Sequence, residues 1–500
     1  MGDEEYEPVI EEHAMLFNSI DFLLFFPIVA IVYFVLPGKV RHIWLLLSSY
    51  YFYMSWGRKQ GLLLLGVTCL TYLAGIWIER AGQAGDKEIK YKKVCLAATV
   101  VLNLALLGWF KYLNFVIGIG NHLLEAFHTG QAISVVEIVL PVGISFYIFQ
   151  ALGYVIDVYR GEIRAEKNFL RYALFVAFFP QLVAGPIERS ENLLSQIGRP
   201  KGFSFGNLQR GLVLMLWGFF LKMVIADRAA IIVDTVYGDS MTYRGVYIVI
   251  ATFFFAIQIY CDFAGYSTIA RGTALVLGYS LTDNFNAPYF AKSVKDFWRR
   301  WHISLTGWFR DYLYIPLGGN RKGKFRTECN LLLVFALSGL WHGPAVSYIV
   351  WGLLNGVYQV IGDVVRKKTK WENEFGKNLL RRITVFLLIS FAWLFFRAGG
   401  VRPALTLLRD MMHFNWTILF DGSLYLLGVP EGYFRVLCYA IILLFLVDYK
   451  KYIEINVLER FMGLCWWVRL TAESILLFTI FLYGCYGELY DTTQFIYFQF

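Results

Sequence analysis

Long apolar runs with few charges restrict the fold of this chain more than any other feature. The clearest occupy residues 17–36, 94–110, 212–226, 383–396 and 437–447. Several approach the length of about 20 residues that a bilayer-spanning helix needs. They lack the alternation of a strand, and in lipid only helices or closed barrels satisfy the backbone. The sequence therefore predicts an all-α integral membrane protein with about ten to thirteen transmembrane or re-entrant helices.

The composition excludes a water-soluble enzyme. Hydrophobic residues make up 58% of the 500 positions and charged residues 17%, whereas soluble domains carry about 25% charged residues. The net charge of +9 lies mainly in short segments between apolar runs, as the positive-inside rule expects. We therefore expect membrane lipid around the chain and no nucleic acid as a partner.

The chain reads as one membrane domain with two short ends. Residues 1–16 form an acidic leader without the basic start of a cleaved signal peptide, so 17–36 is expected to be a retained helix. We assign 17–487 to the membrane domain and 488–500 to a C-terminal aromatic tail. The seven cysteines are scattered without a C-x-x-C pair, which predicts neither a disulfide framework nor a metal site.

The most basic segment lies at 292–326, with nine Lys or Arg residues and two Asp residues. Such a segment is costly to translocate, so it is expected in the cytoplasm. Helical spacing pairs Asp296 with Arg300 and places Trp298, Trp301 and His302 on one face. Alternating aromatic and cationic residues are equally typical of a membrane interface with no further role.

His342 is the strongest candidate for chemistry, because it ends one apolar run and precedes another. An ionisable residue at membrane depth suggests a function, and a desolvated neutral imidazole can act as general base. The alternative is a structural histidine that is hydrogen-bonded to a neighbouring helix.

Other polar residues also lie in apolar surroundings. Gln258 and Asp262 are candidates for substrate binding. Asp262 and Glu188 are costly in lipid, so each should face a polar cavity or pair with a cation such as Arg189 or Arg271. The motifs of serine hydrolases, P-loop ATPases and zinc proteases do not occur.

Five motifs in a fixed order resemble the membrane-bound O-acyltransferase (MBOAT) family, and most closely its alginate O-acetyltransferase branch. The resemblance extends from about residue 15 to the end of the chain. The motifs are PQLVAGPIER (180–189), YCDFAGY (260–266), FWRRWHISLTGWFRDYLYIPLGGNR (297–321), SGLWHG (338–343) and FIYFQF (495–500).

The resemblance implies a ring of helices around a tunnel, with His342 as the catalytic histidine and His302 as the second histidine. The donor, acetyl-CoA or another acyl thioester, would enter from the cytoplasm, and we expect no bound cofactor. Trp341 would exclude water, while Arg299 and Arg300 would attract the anionic donor.

The C-terminal tail resembles the terminal motif of a small peptide that accompanies teichoic acid D-alanyltransferases. This resemblance implies that Tyr497 receives the acyl group, although an aromatic tail could also simply anchor at the interface. We expect the protein in a bacterial inner membrane, beside an exported SGNH-type acetyltransferase and a polysaccharide synthesis machinery. The alternatives are D-alanyl transfer to teichoic acid and a non-enzymatic transporter, whose polar residues would also lie inside a helical bundle.

Overall fold

The described part of the chain folds into helices joined by loops. The computed structural model describes residues 14–81, 86–128, 130–368, 375–486 and 496. Within these ranges the only strand-like pairing is an isolated bridge between Phe285 and Trp301. The helices of ten residues or more are Ile20–Val35, Arg41–Met54, Arg58–Ala81, Asp86–Leu107, Leu113–Ala126, Ile144–Arg160, Phe205–Phe219, Asp227–Gly238, Val246–Val276, Lys324–His342, Val346–Lys368, Phe375–Arg397, Val401–Asp410, Glu431–Tyr452 and Trp466–Tyr483.

Shorter helical elements connect or extend these helices. The short α-helices are Phe169–Ala177, Phe179–Leu182, Ser190–Ile197, Val294–Arg300, Ile303–Phe309 and Val457–Met462. The 3₁₀-helices are Pro288–Phe290, Thr417–Leu419 and Ser423–Leu426, and the π-helices are Gly108–Tyr112, Phe220–Ala226 and Arg310–Tyr314.

Seven helical stretches within the described residues are long and apolar enough to cross a membrane, and Ile20–Val35 is a shorter apolar helix. The stretch Trp466–Tyr483 buries only 6% of its apolar window, so its side chains are available to lipid. The predicted all-α, multi-pass membrane fold is confirmed. The count of ten to thirteen helices and the ring around a tunnel stay predictions.

The chain forms two compact units. The first comprises 1–209 and 273–282, and the second comprises 210–272 and 283–498. In the first unit, Glu188 accepts hydrogen bonds from the Asn192 amide, at 2.6 Å, and from the backbone N–H of Thr282. The second unit contains both candidate histidines.

The acidic leader and the aromatic tail fall almost wholly outside the described residues. Of the leader, residues 14–16 are described, and of the tail only Ile496 is. The division of the chain at residues 16 and 487 therefore stays a prediction.

Candidate active site

His342 is the last residue of the helix Lys324–His342, here called the His342 helix. This helix packs closely against Val346–Lys368, the helix that follows, because glycine occupies the points of contact. A Cβ at Gly339 would lie 2.1 Å from the Tyr348 carbonyl oxygen, and one at Gly352 would lie 2.1 Å from the carbonyl oxygen of Phe335. The sequence SGLWHG thus fixes the end of the helix and, with it, the position of the His342 ring.

The imidazole of His342 is enclosed by aromatic rings. Its ring centroid lies 5.0 Å from that of Trp341, 5.1 Å from that of Trp351 and 5.3 Å from that of Phe396. Only 5% of the residue is exposed. The histidine predicted as the base is therefore buried among aromatic rings.

His302 lies in a break between two short helices. The helix Val294–Arg300 ends before it and Ile303–Phe309 begins after it, and His302 has a φ of 44° in the left-handed region. The expectation that Trp298, Trp301 and His302 share one helical face is wrong, because the helix stops at Arg300. A non-glycine residue in this conformation is uncommon and is found preferentially at functional sites.

Asn284 supports this break from a neighbouring loop. Its backbone carbonyl accepts the N–H of Ile303 at 3.0 Å, and its side-chain oxygen accepts the N–H of Ser304 at 3.3 Å. Its amide nitrogen donates to the Ser267 hydroxyl at 3.1 Å, and Asn284 is fully buried. Asn284 therefore holds the left-handed turn that aims His302.

Trp341 connects the two histidines. Its ring centroid lies 6.2 Å from that of His302. The ring of Phe263 also contacts His302, with 4.6 Å between the two centroids. Burial lowers the pKa of His302 to about 3, so this imidazole is neutral near pH 7. The structure thus brings the predicted residues His302, Trp341 and His342 together, with two imidazoles beside one indole.

Asp262 forms a buried ion pair with Lys222, at 2.7 Å, and both side chains are 3% exposed. The prediction that Arg271 could pair with Asp262 is wrong, because Arg271 pairs with Asp283 at 2.9 Å. The sequence analysis did not identify Lys222 as the partner. Its only signal in the sequence is that it is a lone cation inside the apolar run 212–226.

Gln258 lies one helical turn before Asp262 in the helix Val246–Val276. Within the part of the chain that the structure describes, its side-chain oxygen is buried and has no hydrogen-bond partner. Buried acceptors are normally paired, so Gln258 remains a candidate for binding a polar group of a substrate.

Three cations interact with Tyr452, and we call them the Tyr452 cluster: Lys292, Arg300 and Arg382. The Arg300 and Arg382 guanidinium carbons lie 4.9 and 4.8 Å from the ring centroid, and Lys292 interacts electrostatically with the same tyrosine. The predicted pair of Arg300 with Asp296 is present at 2.9 Å. Arg299 is exposed to solvent.

Tyr497, the third predicted catalytic residue, lies outside the described residues. Its neighbour Ile496 is described and is 1% exposed. The backbone N–H of Ile496 donates to Asp262 Oδ2 at 2.8 Å.

Comparison with known proteins agrees with this arrangement. Residues 160–396 match the family described as MBOAT, the membrane-bound O-acyltransferase family, and this range contains both histidines. The chain is 37% identical over 416 residues to the probable alginate O-acetylase of Pseudomonas syringae pv. tomato, covering 81% of this chain and 76% of that protein.

Two further relatives carry other names. The peptidoglycan O-acetyltransferase of Helicobacter pylori is 32% identical over 440 residues, covering 81% of each chain. The teichoic acid D-alanyltransferase of Bacillus subtilis is 28% identical over 276 residues, covering 51% of this chain and 68% of that protein. The protein therefore belongs to the membrane-bound O-acyltransferase family, in the branch similar to alginate O-acetyltransferases, and is a multi-pass membrane acyltransferase.

Proposed function

We propose that the protein transfers an acetyl group from a cytoplasmic acyl thioester, such as acetyl-CoA, across a bacterial inner membrane for the O-acetylation of an exported polysaccharide. One observation supports this function above all. Two buried histidines flank Trp341 in an aromatic pocket, where a thioester can meet a hydroxyl group without meeting water.

His342 acts as the general base in this proposal. Its neutral imidazole takes the proton from the acceptor hydroxyl while the hydroxyl oxygen attacks the thioester carbonyl carbon. The carbon–sulfur bond then breaks, the thiolate leaves, and the proton on the imidazolium returns to sulfur. The rings of Trp341, Trp351 and Phe396 exclude water, which would otherwise hydrolyse the thioester.

His302 stabilises the negative charge that develops on the carbonyl oxygen. A neutral imidazole carries one N–H donor, and a fixed donor beside a developing oxyanion lowers the barrier because it needs no reorganisation during the reaction. The left-handed turn and Asn284 supply that fixed orientation.

The Tyr452 cluster receives the anionic end of the donor. Three cations and a phenol hydroxyl, with Asp296 bound to Arg300, favour phosphate oxygens. Arg382 precedes Trp393 by 11 positions in one helix, which is roughly 16 Å along the axis. A pantetheine arm is about as long as four extended residues, or roughly 15 Å.

Trp393 lies at the far end of the stretch of helix that begins at Arg382. It stacks on Trp351 at 5.4 Å, and Trp351 contacts His342. A donor with its phosphates on the Tyr452 cluster would therefore carry its thioester to the aromatic rings around His342.

Tyr497 is the proposed first acceptor. Its phenol oxygen would take the acetyl group with His342 as base and pass it to an exported SGNH-type acetyltransferase, which would hand it to the polysaccharide. A phenol ester is activated enough for a second transfer, because the phenol pKa near 10 makes phenolate a moderate leaving group.

The test is His342→Ala, with His122→Ala as the control at an exposed histidine. We expect His342→Ala to abolish O-acetylation of the exported polysaccharide at equal membrane protein levels, because the base is lost and few lipid contacts change. Purified protein should likewise lose thiol release from acetyl-CoA. Near-normal acetylation in this variant would refute the assignment of the base.

A further inference from the structure

Three charged side chains form a buried network in the second unit. Lys222 Nζ lies 2.7 Å from Asp262 Oδ1 and 2.8 Å from Asp227 Oδ1. Side-chain exposure is 3% for Lys222 and 20% for Asp227. Buried ion pairs are often no more stabilising than apolar side chains of the same volume. Their presence here therefore calls for a role besides stability.

The local backbone gives Lys222 its place. Lys222 belongs to the π-helix Phe220–Ala226. π-helical turns are rare in proteins, and those that occur often lie at functional sites. The same stretch contacts the chain shortly before the tail. The Met223 carbonyl accepts the N–H of Cys485 at 3.0 Å, and Arg228 donates to the Tyr483 carbonyl at 2.8 Å.

Asp262 uses its two oxygens for two different partners. Oδ1 binds the Lys222 amine, and Oδ2 accepts the backbone N–H of Ile496 at 2.8 Å. A hydrogen bond to an ionised carboxylate is stronger than one between neutral groups. Since the contact is to the main chain, it fixes the path of the backbone whatever the side chain at residue 496.

We propose that Asp262 and Lys222 form the docking site for the C-terminal segment of this same chain and are positioning residues for Tyr497. Consecutive Cα atoms are about 3.8 Å apart, so holding the amide of Ile496 confines the start of Tyr497. Lys222 orients the Asp262 carboxylate through their ion pair, and Asp227 shares the same amine. This inference rests on the proposed acceptor role of Tyr497.

Replacing the amide donor is the sharpest test, because it leaves the charged network untouched. Ile496→Pro removes the N–H that Asp262 accepts, while Ile496→Val keeps it and serves as the matched control. Asp262→Leu combined with Lys222→Met removes the two most deeply buried charges together, and leaves only Asp227, whose side chain is 20% exposed.

Two measurements on the full-length protein in detergent separate docking from chemistry. Carboxypeptidase digestion of the chain end reports docking without any activity. Mass spectrometry of the C-terminal peptide after incubation with acetyl-CoA reports acetyl transfer to Tyr497, with Tyr497→Phe as the blank.

We expect Ile496→Pro and the double variant to speed digestion about tenfold to a hundredfold, as the loss of a hydrogen bond to a charged group implies. Acetylation of Tyr497 should fall by a similar factor, while Ile496→Val and the unfolding temperature of Ile496→Pro stay as in wild type. Digestion of Ile496→Pro at the wild-type rate would overturn the docking site. Faster digestion with unchanged Tyr497 acetylation would overturn the positioning role. A wild-type tail that is protected but never acetylated would instead refute the acceptor role of Tyr497 and leave the docking site standing.

Discussion

Gly339 lies three residues before His342, where the His342 helix meets the next helix. In Gly339→Ala the added Cβ would lie 2.1 Å from the carbonyl oxygen of Tyr348, whereas ordinary contacts of carbon are about 3.5 Å. The carbonyl belongs to the backbone, so no side-chain rotation relieves the clash and the two helices must separate by more than roughly 1 Å. Overpacking of this kind costs about 1–3 kcal/mol of stability, and a 1 Å misplacement of a reacting group lowers rates up to about a hundredfold.

Gly362→Ala is the matched control for Gly339→Ala. A Cβ at Gly362 would meet no atom within 4 Å, and alanine is the better helix former by about 1 kcal/mol. Thiol release from acetyl-CoA by purified protein and the unfolding temperature in detergent are the two measurements. We expect Gly339→Ala to lose activity and stability while Gly362→Ala keeps both. Wild-type activity in Gly339→Ala would show that close approach of the two helices does not position His342.

Three further predictions concern the second histidine and the basic segment. Burial lowers the pKa of His302 to about 3 from 6.5, so the unfolded chain binds the proton more readily. Stability therefore falls below pH 6.5 by about 1.4 kcal/mol per pH unit. His302→Asn, which tolerates the left-handed turn, should flatten the slope of unfolding midpoint against pH, and equal slopes would contradict the buried neutral imidazole. Asn284→Ala should lower the turnover of acetyl-CoA and reduce the free energy of unfolding by about 1–3 kcal/mol, because the Ser304 N–H loses its side-chain acceptor. Turnover at the wild-type rate would show that Asn284 does not support the site. Lys322→Cys, with the exposed native cysteines replaced by serine, should react with an impermeant thiol reagent from the cytoplasmic side, and labelling only from the periplasmic side would reverse the orientation of 292–326.

The sequence was sufficient for the membrane fold, and the structure brings three of the predicted site residues, His302, Trp341 and His342, close together. Apolar runs reveal spanning helices because lipid leaves the backbone few alternatives, and the predicted runs 94–110, 383–396 and 437–447 indeed lie in helical stretches long and apolar enough to cross a membrane. His302, Trp341 and His342 belong to short motifs whose order marks the family. Their proposed chemistry was inferred from these local motifs, and the structure adds that the three rings lie close together.

Contacts between distant segments could not be predicted in the same way. Lys222 lies 40 positions before Asp262, and the apolar run around it resembles an ordinary span interrupted by a lysine. The nearer Arg271 was the natural candidate for Asp262, but the helix Val246–Val276 carries it more than two turns away. The left-handed turn at His302 could not be predicted either. Asn284, which stabilises the turn, lies outside the motif, and the sequence around Trp301 still has the spacing of a helix.

In the proposed mechanism, the rings around the histidines let a single base serve a thioester. Phe263 and Trp341 contact His302, and Trp341, Trp351 and Phe396 contact His342. In the proposed mechanism, such an enclosure removes water, which would compete with the acceptor hydroxyl for the acyl group. The nucleophile must then be delivered into the pocket, because solvent cannot supply it. In the proposed mechanism the tail makes that delivery: its backbone is held on the buried Asp262 carboxylate at Ile496, so little conformational freedom would be lost at each turnover.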